Sequence, residues 1–141
     1  MKAKQLSVFI ENRQGRLGEV LDVLKTNSVN ILSLSLADTT EYGLLRLIVD
    51  KPELGKEKLQ EDGFSTMLTD ILVIKIDHVA GSLQGLLKLL AENEVNIEYM
   101  YGLSIDGDHA SVVMKTSDLD HALSILDKAG VETLTTDKII G

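Results

Sequence analysis

The sequence predicts an α+β protein made of two tandem copies of one unit, each an antiparallel sheet with helices on one face. Three observations predict it. First, residues 12–31, NRQGRLGEVLDVLKTNSVNI, return without a gap 66 positions later as residues 78–97, HVAGSLQGLLKLLAENEVNI, with eight of twenty positions identical. Second, leucines in both stretches, with Val20 in the first, follow the i, i+3, i+4, i+7 spacing of one helical face. Third, the flanking segments alternate apolar and polar residues at the period of two that marks a strand. Repetition at such a period decides architecture before any finer reading. The chain of 141 residues therefore divides into 1–69 and 70–141. Units this small bury only about 60% of their unfolded surface, so each is expected to lean on its neighbour.

Taken in order, Leu6, Val8 and Ile10 alternate with Ser7 and Phe9 as strand one. A loop over 11–15 leads to a helix over 16–27 carrying Leu17, Val20, Leu21 and Leu24, with Asn27 able to stop it in a left-handed conformation. Strand two spans 31–37, a turn covers 39–43, and strand three spans 44–49. Strand three is apolar on both faces, around Arg46, so its outer face needs a cover from copy two or a second chain. Pro52 suits the first turn of a second helix that ends at Gly63, and 64–68 makes a short fourth strand.

The pattern restarts at 71–76, strand one of the second copy, with only Thr69 and Asp70 between. Its helix carries Leu83, Leu86, Leu87 and Leu90, and strand two spans 97–105. Asp106-Gly107 is a tight-turn signal before strand three at 110–115. Ser117 or Asp118 can cap a helix with Leu119, Ala122, Leu123 and Leu126 on one face; Gly130 ends it and 131–136 forms the last strand. Each copy reads β-α-β-β-α-β, the ferredoxin-like order.

Composition narrows the function. Aromatic residues are 4% of the chain and Trp is absent, so the core is aliphatic. The net charge is −8, with nine cationic against eleven acidic residues through 70 and five against eleven beyond, which argues against a nucleic-acid partner. Tyr99 and Tyr101 could offer platforms for bases, but copy one has Ser33 and Ser35 there and no cations gather around them. No apolar run approaches the ~20 residues of a membrane span, and no signal-peptide core follows the opening lysines. With no Cys there is no disulfide framework and no thiolate chemistry. The expectation is a cytoplasmic protein without membrane contact.

The loop before each repeated helix carries the functional signal. A strand ends, a glycine lets backbone approach closely, and the unpaired N–H groups of the helical first turn favour a carboxylate. The motif Ile10-Glu11-Asn12-Arg13-Gln14-Gly15-Arg16-Leu17 with Val29-Asn30-Ile31, repeated as Asp77-His78-Val79-Ala80-Gly81-Ser82-Leu83 with Val95-Asn96-Ile97, resembles the ACT domain. That small regulatory module senses amino acids in biosynthetic enzymes. The resemblance covers essentially the whole chain as two copies, although Gln14 and Ala80 stand where the family usually has proline. It implies ligand-binding residues Asn12, Arg13, Gln14, Gly15, Arg16, Leu17 and Asn30 in one site. It implies His78, Val79, Ala80, Gly81, Ser82, Leu83 and Asn96 in the other. It further implies an amino-acid ligand, side-by-side pairing into a homo-oligomer (a dimer), and possible service as the regulatory subunit of a biosynthetic enzyme.

Plainer roles compete. The glycines can serve only a turn. Asn30 and Asn96 can serve only backbone groups between helix and strand. His78 can be a solvated loop residue, and His121 one on a helix surface. Asp106, Asp108 and His109 read as a hairpin rather than a metal cluster. No nucleophile elbow, metal-ligand spacing or phosphate loop appears, so neither catalysis nor a cofactor is expected. The rival reading is an assembly module whose ligand site no longer binds.

Overall fold

In the computed structural model, described over residues 1–11, 13–38, 41–106 and 108–140, the chain is a mixed α/β protein of antiparallel sheet and helices. The elements run β1 (Ala3–Glu11), α1 (Arg16–Thr26), β2 (Ile31–Asp38), β3 (Tyr42–Val49), α2 (Pro52–Glu61), β4 (Ser65–Asp77), α3 (Ser82–Glu92), β5 (Ile97–Asp106), β6 (His109–Thr116), α4 (Leu119–Lys128) and α5 (Thr136–Ile140). Two compact units emerge: Lys4–Thr69, and Asp70–Gly141 joined by Met1–Ala3. Asn12 of the expected binding loop lies outside the described residues. So do Thr39 and Thr40 of the first predicted turn and Gly107 of the second.

In the first unit the strand order is β2-β3-β1-β4, and β1–β3 and β2–β3 pair antiparallel. The register sets Leu6 opposite Leu47 and Val8 opposite Leu45. Those side chains meet Val20 and Leu24 of α1 and Leu59 of α2 in one buried cluster. Burial of each such side chain stabilises the fold by about 1.5–3 kcal/mol. On the opposite face of β3, Ile48 is buried, whereas Leu44 is half-buried and its partner Phe9 on β1 is exposed.

In the second unit the order is β4-β6-β5, again antiparallel, with Leu72 opposite Met114 and Ile74 opposite Val112. Leu86 and Leu90 of α3 and Ala122 and Leu126 of α4 complete its core. Asp118 caps α4 by accepting the His121 N–H at 3.0 Å, one of the two capping residues expected.

Two departures from expectation have local causes. Strand four of the first copy and strand one of the second are a single strand, β4. Thr69 and Asp70 supply no glycine, proline or hairpin pair to turn the chain, and Thr69 and the following Ile71 are β-branched and favour extension. The predicted strand over 131–136 is reduced to an isolated bridge, Thr133 opposite Ile74, held by Lys75 N–H to Glu132 O (3.0 Å) and Leu134 N–H to Val73 O (2.8 Å). The strand stops there because Thr135 starts α5: its Oγ1 accepts the Lys138 N–H at 3.4 Å, and Asp137 stands in the first turn.

Candidate functional site

In both copies the glycine of the repeated loop is the residue immediately before the helix. Gly15 and Gly81 have φ of +90° and +89°, a left-handed conformation that costs other residues about 1–2 kcal/mol. A Cβ at either position would meet nothing within 4 Å. The requirement is therefore the backbone angle, and the space beside it is open. Being glycines, the N-cap residues Gly15 and Gly81 supply no side-chain cap to their helices.

The two loops differ in what surrounds that opening. In the first copy Arg13 pairs with Glu11 (2.9 Å), Arg16 pairs with Glu19, and the Arg16 guanidinium lies 4.2 Å from the centre of the Phe64 ring. Leu17 packs against the core and Gln14 is exposed. The positions equivalent to Arg13, Arg16 and Glu19 in the second copy are Val79, Ser82 and Gly85. There the His78 N–H donates to Asp108 O at 2.6 Å, and Asp77 lies 3.5 Å from His109 across the β4–β6 ladder. His78, Val79, Ala80 and Gly81 are exposed.

Beside this second loop lies a cavity of about 540 Å³. The predicted site residues His78, Val79, Ser82 and Leu83 form one wall. Ile76 and the strands β5 and β6, through Gly102, Leu103, Ile105, Ala110 and Val112, form the floor and the other wall. The lining holds one acidic residue, Asp77, and no lysine or arginine. A further cavity of about 510 Å³ lies along α3, lined by Gly85, Leu86 and Leu89 with residues 129–132, and shares Ser82 and Asp77 with the first.

The asparagines are placed elsewhere. Asn30 and Asn96 follow the C-terminal ends of α1 and α3, whereas Gly15 and Gly81 precede the N-terminal ends. Eleven residues of helix separate them, about 16 Å at 1.5 Å per residue. The loop residues and the asparagines therefore lie at opposite ends of their helices. Asn30 exchanges backbone bonds with Asp50: its N–H donates to the Asp50 carboxylate at 2.8 Å and its carbonyl accepts the Asp50 N–H at 3.1 Å. The Asn96 side-chain amide donates to Ser117 Oγ at 2.9 Å. Each pins the start of its strand to the end of the next.

Asn27 is not left-handed as expected. Its φ is −98°, and its amide donates to Val23 O at 2.8 Å, as that of Asn93 does to Leu89 O. The left-handed seat is the next residue, Ser28 (φ 57°) or Glu94 (φ 60°). Tyr99 and Tyr101 stack on one another, with centroids 6.5 Å apart and planes 13° from parallel.

The strand residues that complete the cavity escaped the reading of the loop motif. Their signal is present in the repeat, since the 66-residue shift sets Gly102 against Leu36.

The architecture defines a class: two α/β units, each with a repeated loop and helix start over an antiparallel sheet. The family described as "ACT domain pair" matches residues 1–139, and the chain belongs to it. Protein BT0572 from Bacteroides thetaiotaomicron is similar in structure with a TM-score of 0.94 and 35% identity, over 99% of this chain and 96% of that one. The regulatory subunit of aspartate kinase from Thermus thermophilus is similar in fold (TM-score 0.64, 18% identity, 89% of this chain and 91% of that one). Its counterpart from Thermus flavus is too (TM-score 0.63, 16% identity, 92% and 94%). No curated protein matches the chain. No helix among the described residues is long and apolar enough to cross a membrane.

Proposed function

We propose that this protein is a non-catalytic regulator whose two ACT domains, 1–69 and 70–141, serve to sense a free amino acid in the cytoplasm. The observation that carries this reading is the cavity beside residues 78–83, into which an open helix start and the loop converge. Its size falls within the range of about 300–1,000 Å³ usual for small-ligand sites. The Ser82 N–H at the start of α3 is taken up by Val79 O at 3.2 Å, and the next N–H groups of that first turn, with the positive end of the helix dipole, suit a carboxylate. The Asp77 carboxylate at the rim suits an ammonium group. A free amino acid carries both.

Ligand occupancy would then shift the population of two arrangements of the pair, or of a homodimer, as far as the ligand binds one better than the other. In a non-catalytic regulator the signal goes to a partner. The fold shared with two aspartate kinase regulatory subunits makes a biosynthetic enzyme of that kind the partner to test first. The reading is tested by thermal-shift screening of the full chain against the twenty amino acids, with calorimetric titration of each hit. A melting temperature raised by one or a few of them, with saturable binding, is the expected result. No shift with any of the twenty favours the assembly-module reading instead.

A further inference from the structure

The two copies are not equivalent where a ligand's side chain would go. In the first copy Leu36 on β2 stands opposite Leu45 of β3, and in the second Gly102 on β5 stands opposite Val112 of β6. The neighbouring strands confirm the equivalence, because Val8 pairs with Leu45 as Ile74 pairs with Val112. The Leu36 side chain reaches across β3: a Cβ built at Gly43 would lie 3.3 Å from its Cδ1 and 3.1 Å from Ile10 Cγ1. Leu36 thus lies over Gly43 on that part of the sheet surface, with 46% of its own surface still exposed. In the second copy the exchange is complementary. Gly102 replaces the leucine, and Ala110 pairs with Ile76 where Gly43 pairs with Ile10. A Cβ at Gly102 would meet nothing within 4 Å. Gly102, Ala110 and Ile76 all line the cavity.

We propose that the halves have diverged, the second taking the aliphatic side chain of an amino acid into the cavity floored by Gly102, and the first having filled the equivalent space with its own Leu36. This rests on the amino-acid reading above and adds the chemical class of ligand and the half that binds it. Aliphatic specificity follows from the walls. Val79, Leu83, Ile105 and Val112 offer contact area, the lining hydroxyls of Ser104 and Ser111 bond one another at 2.8 Å, and a buried charge would be costly to leave unpaired there. Asp77, the one acidic residue of the lining, stands beside the loop. The residues at the helix start diverge too: Arg16 and Glu19 form an ion pair in the first copy, and the second has Ser82 and Gly85 at those positions.

The test is calorimetric titration of the full chain with L-leucine, L-isoleucine, L-valine and L-methionine, beside L-phenylalanine, L-aspartate, L-lysine and L-threonine. One site per chain for one or more of the aliphatic four is the expected result. Gly102→Leu, which rebuilds the first-copy plug, should weaken that binding at least tenfold, and Gly102→Ala should weaken it less. Circular dichroism establishes that the variants fold. If Gly102→Leu does not, the Gly102→Ala affinity and ligand-induced shifts of the Ile105 and Val112 methyl resonances in the unaltered chain decide, and unmoved methyls overturn the proposal. Binding confined to a polar or aromatic amino acid overturns the proposal and leaves amino-acid sensing intact. So does binding that ignores folded Gly102→Leu, or two equal sites per chain. No binding by any of the twenty overturns both.

Discussion

At the C-terminal ends of α1, α2, α3 and α4 the chain closes with the same pair of backbone bonds, and the residue seated between them differs. In α2 and α4 it is a left-handed glycine, Gly63 or Gly130. In α1 and α3 it is Ser28 or Glu94, with φ near +60°. For α1 the Ser28 N–H donates to Lys25 O (3.1 Å) and the Val29 N–H to Leu24 O (2.9 Å); for α3 Glu94 and Val95 repeat this with Ala91 and Leu90. A side chain in that conformation costs about 1–2 kcal/mol, partly offset by the greater freedom glycine loses on folding. Ser28→Gly and Glu94→Gly should therefore each stabilise the protein by about 0.5–1 kcal/mol in urea denaturation. A loss of stability in both would show that these side chains hold contacts outweighing the backbone cost. The sequence points to Asn27 for this seat, because asparagine tolerates left-handed backbone. Its amide instead bonds the Val23 carbonyl one turn back, a role that needs ordinary helical geometry. Two residues of similar habit compete for one turn, and composition does not choose between them.

Among the elements, the repeated helices were legible because amphipathic spacing and the echo agree on the same positions. Leu24 and Leu90, aligned by the repeat, are both fully buried, each in the core of its own unit. Leu24→Ala and Leu90→Ala should each cost about 2–5 kcal/mol, the range for buried leucine truncations, read as a lowered denaturation midpoint. A change below ~1 kcal/mol in either would break the equivalence of the two cores. Less legible were features where a strand's neighbours decide its fate. The continuity of β4 depends on there being no turn chemistry at residues 69–70, and an absent signal is weak evidence beside a strong repeat boundary. The end of the chain shows the reverse, since the helix-start signal Thr135-Thr136-Asp137 outcompetes the strand pattern of 131–136. The candidate site divides along the same line. Its loop wall, residues 78–83, came from a local motif. Its floor comes from β5 and β6, which only sheet register brings beneath the loop.

For the whole molecule, the boundary between units falls inside strands, at Ala3/Lys4 in β1 and at Thr69/Asp70 in β4. The first three residues belong with the second copy, which a division at 69 does not anticipate. Ala3 is buried, and Lys2 Nζ lies 2.9 Å from the Asp120 carboxylate. That hydrogen bond, followed by the charge of Asp120, raises the Lys2 pKa above its ordinary 10.5. The sign follows from linkage: a raised lysine pKa contributes stability that is fully present below the unfolded value and is lost as pH rises through the folded one. Because the pair is solvent-exposed, its contribution is small and screened by salt. Comparing unaltered protein with Asp120→Asn removes the other lysines from the measurement. Between pH 9.5 and 11.5, an order-of-magnitude bracket of ordinary lysine titration, melting temperature should fall more in the unaltered chain than in the variant, and the difference should shrink in 1 M salt. Equal slopes would show that Lys2 holds no pH-dependent bond to the second copy. Deleting residues 1–3 should lower the melting temperature further than Asp120→Asn at neutral pH, because it removes the buried Ala3 as well as the ion pair. If the deletion melts with the unaltered chain, the second copy is complete from Asp70 onward and the amino end of β1 contributes nothing to it.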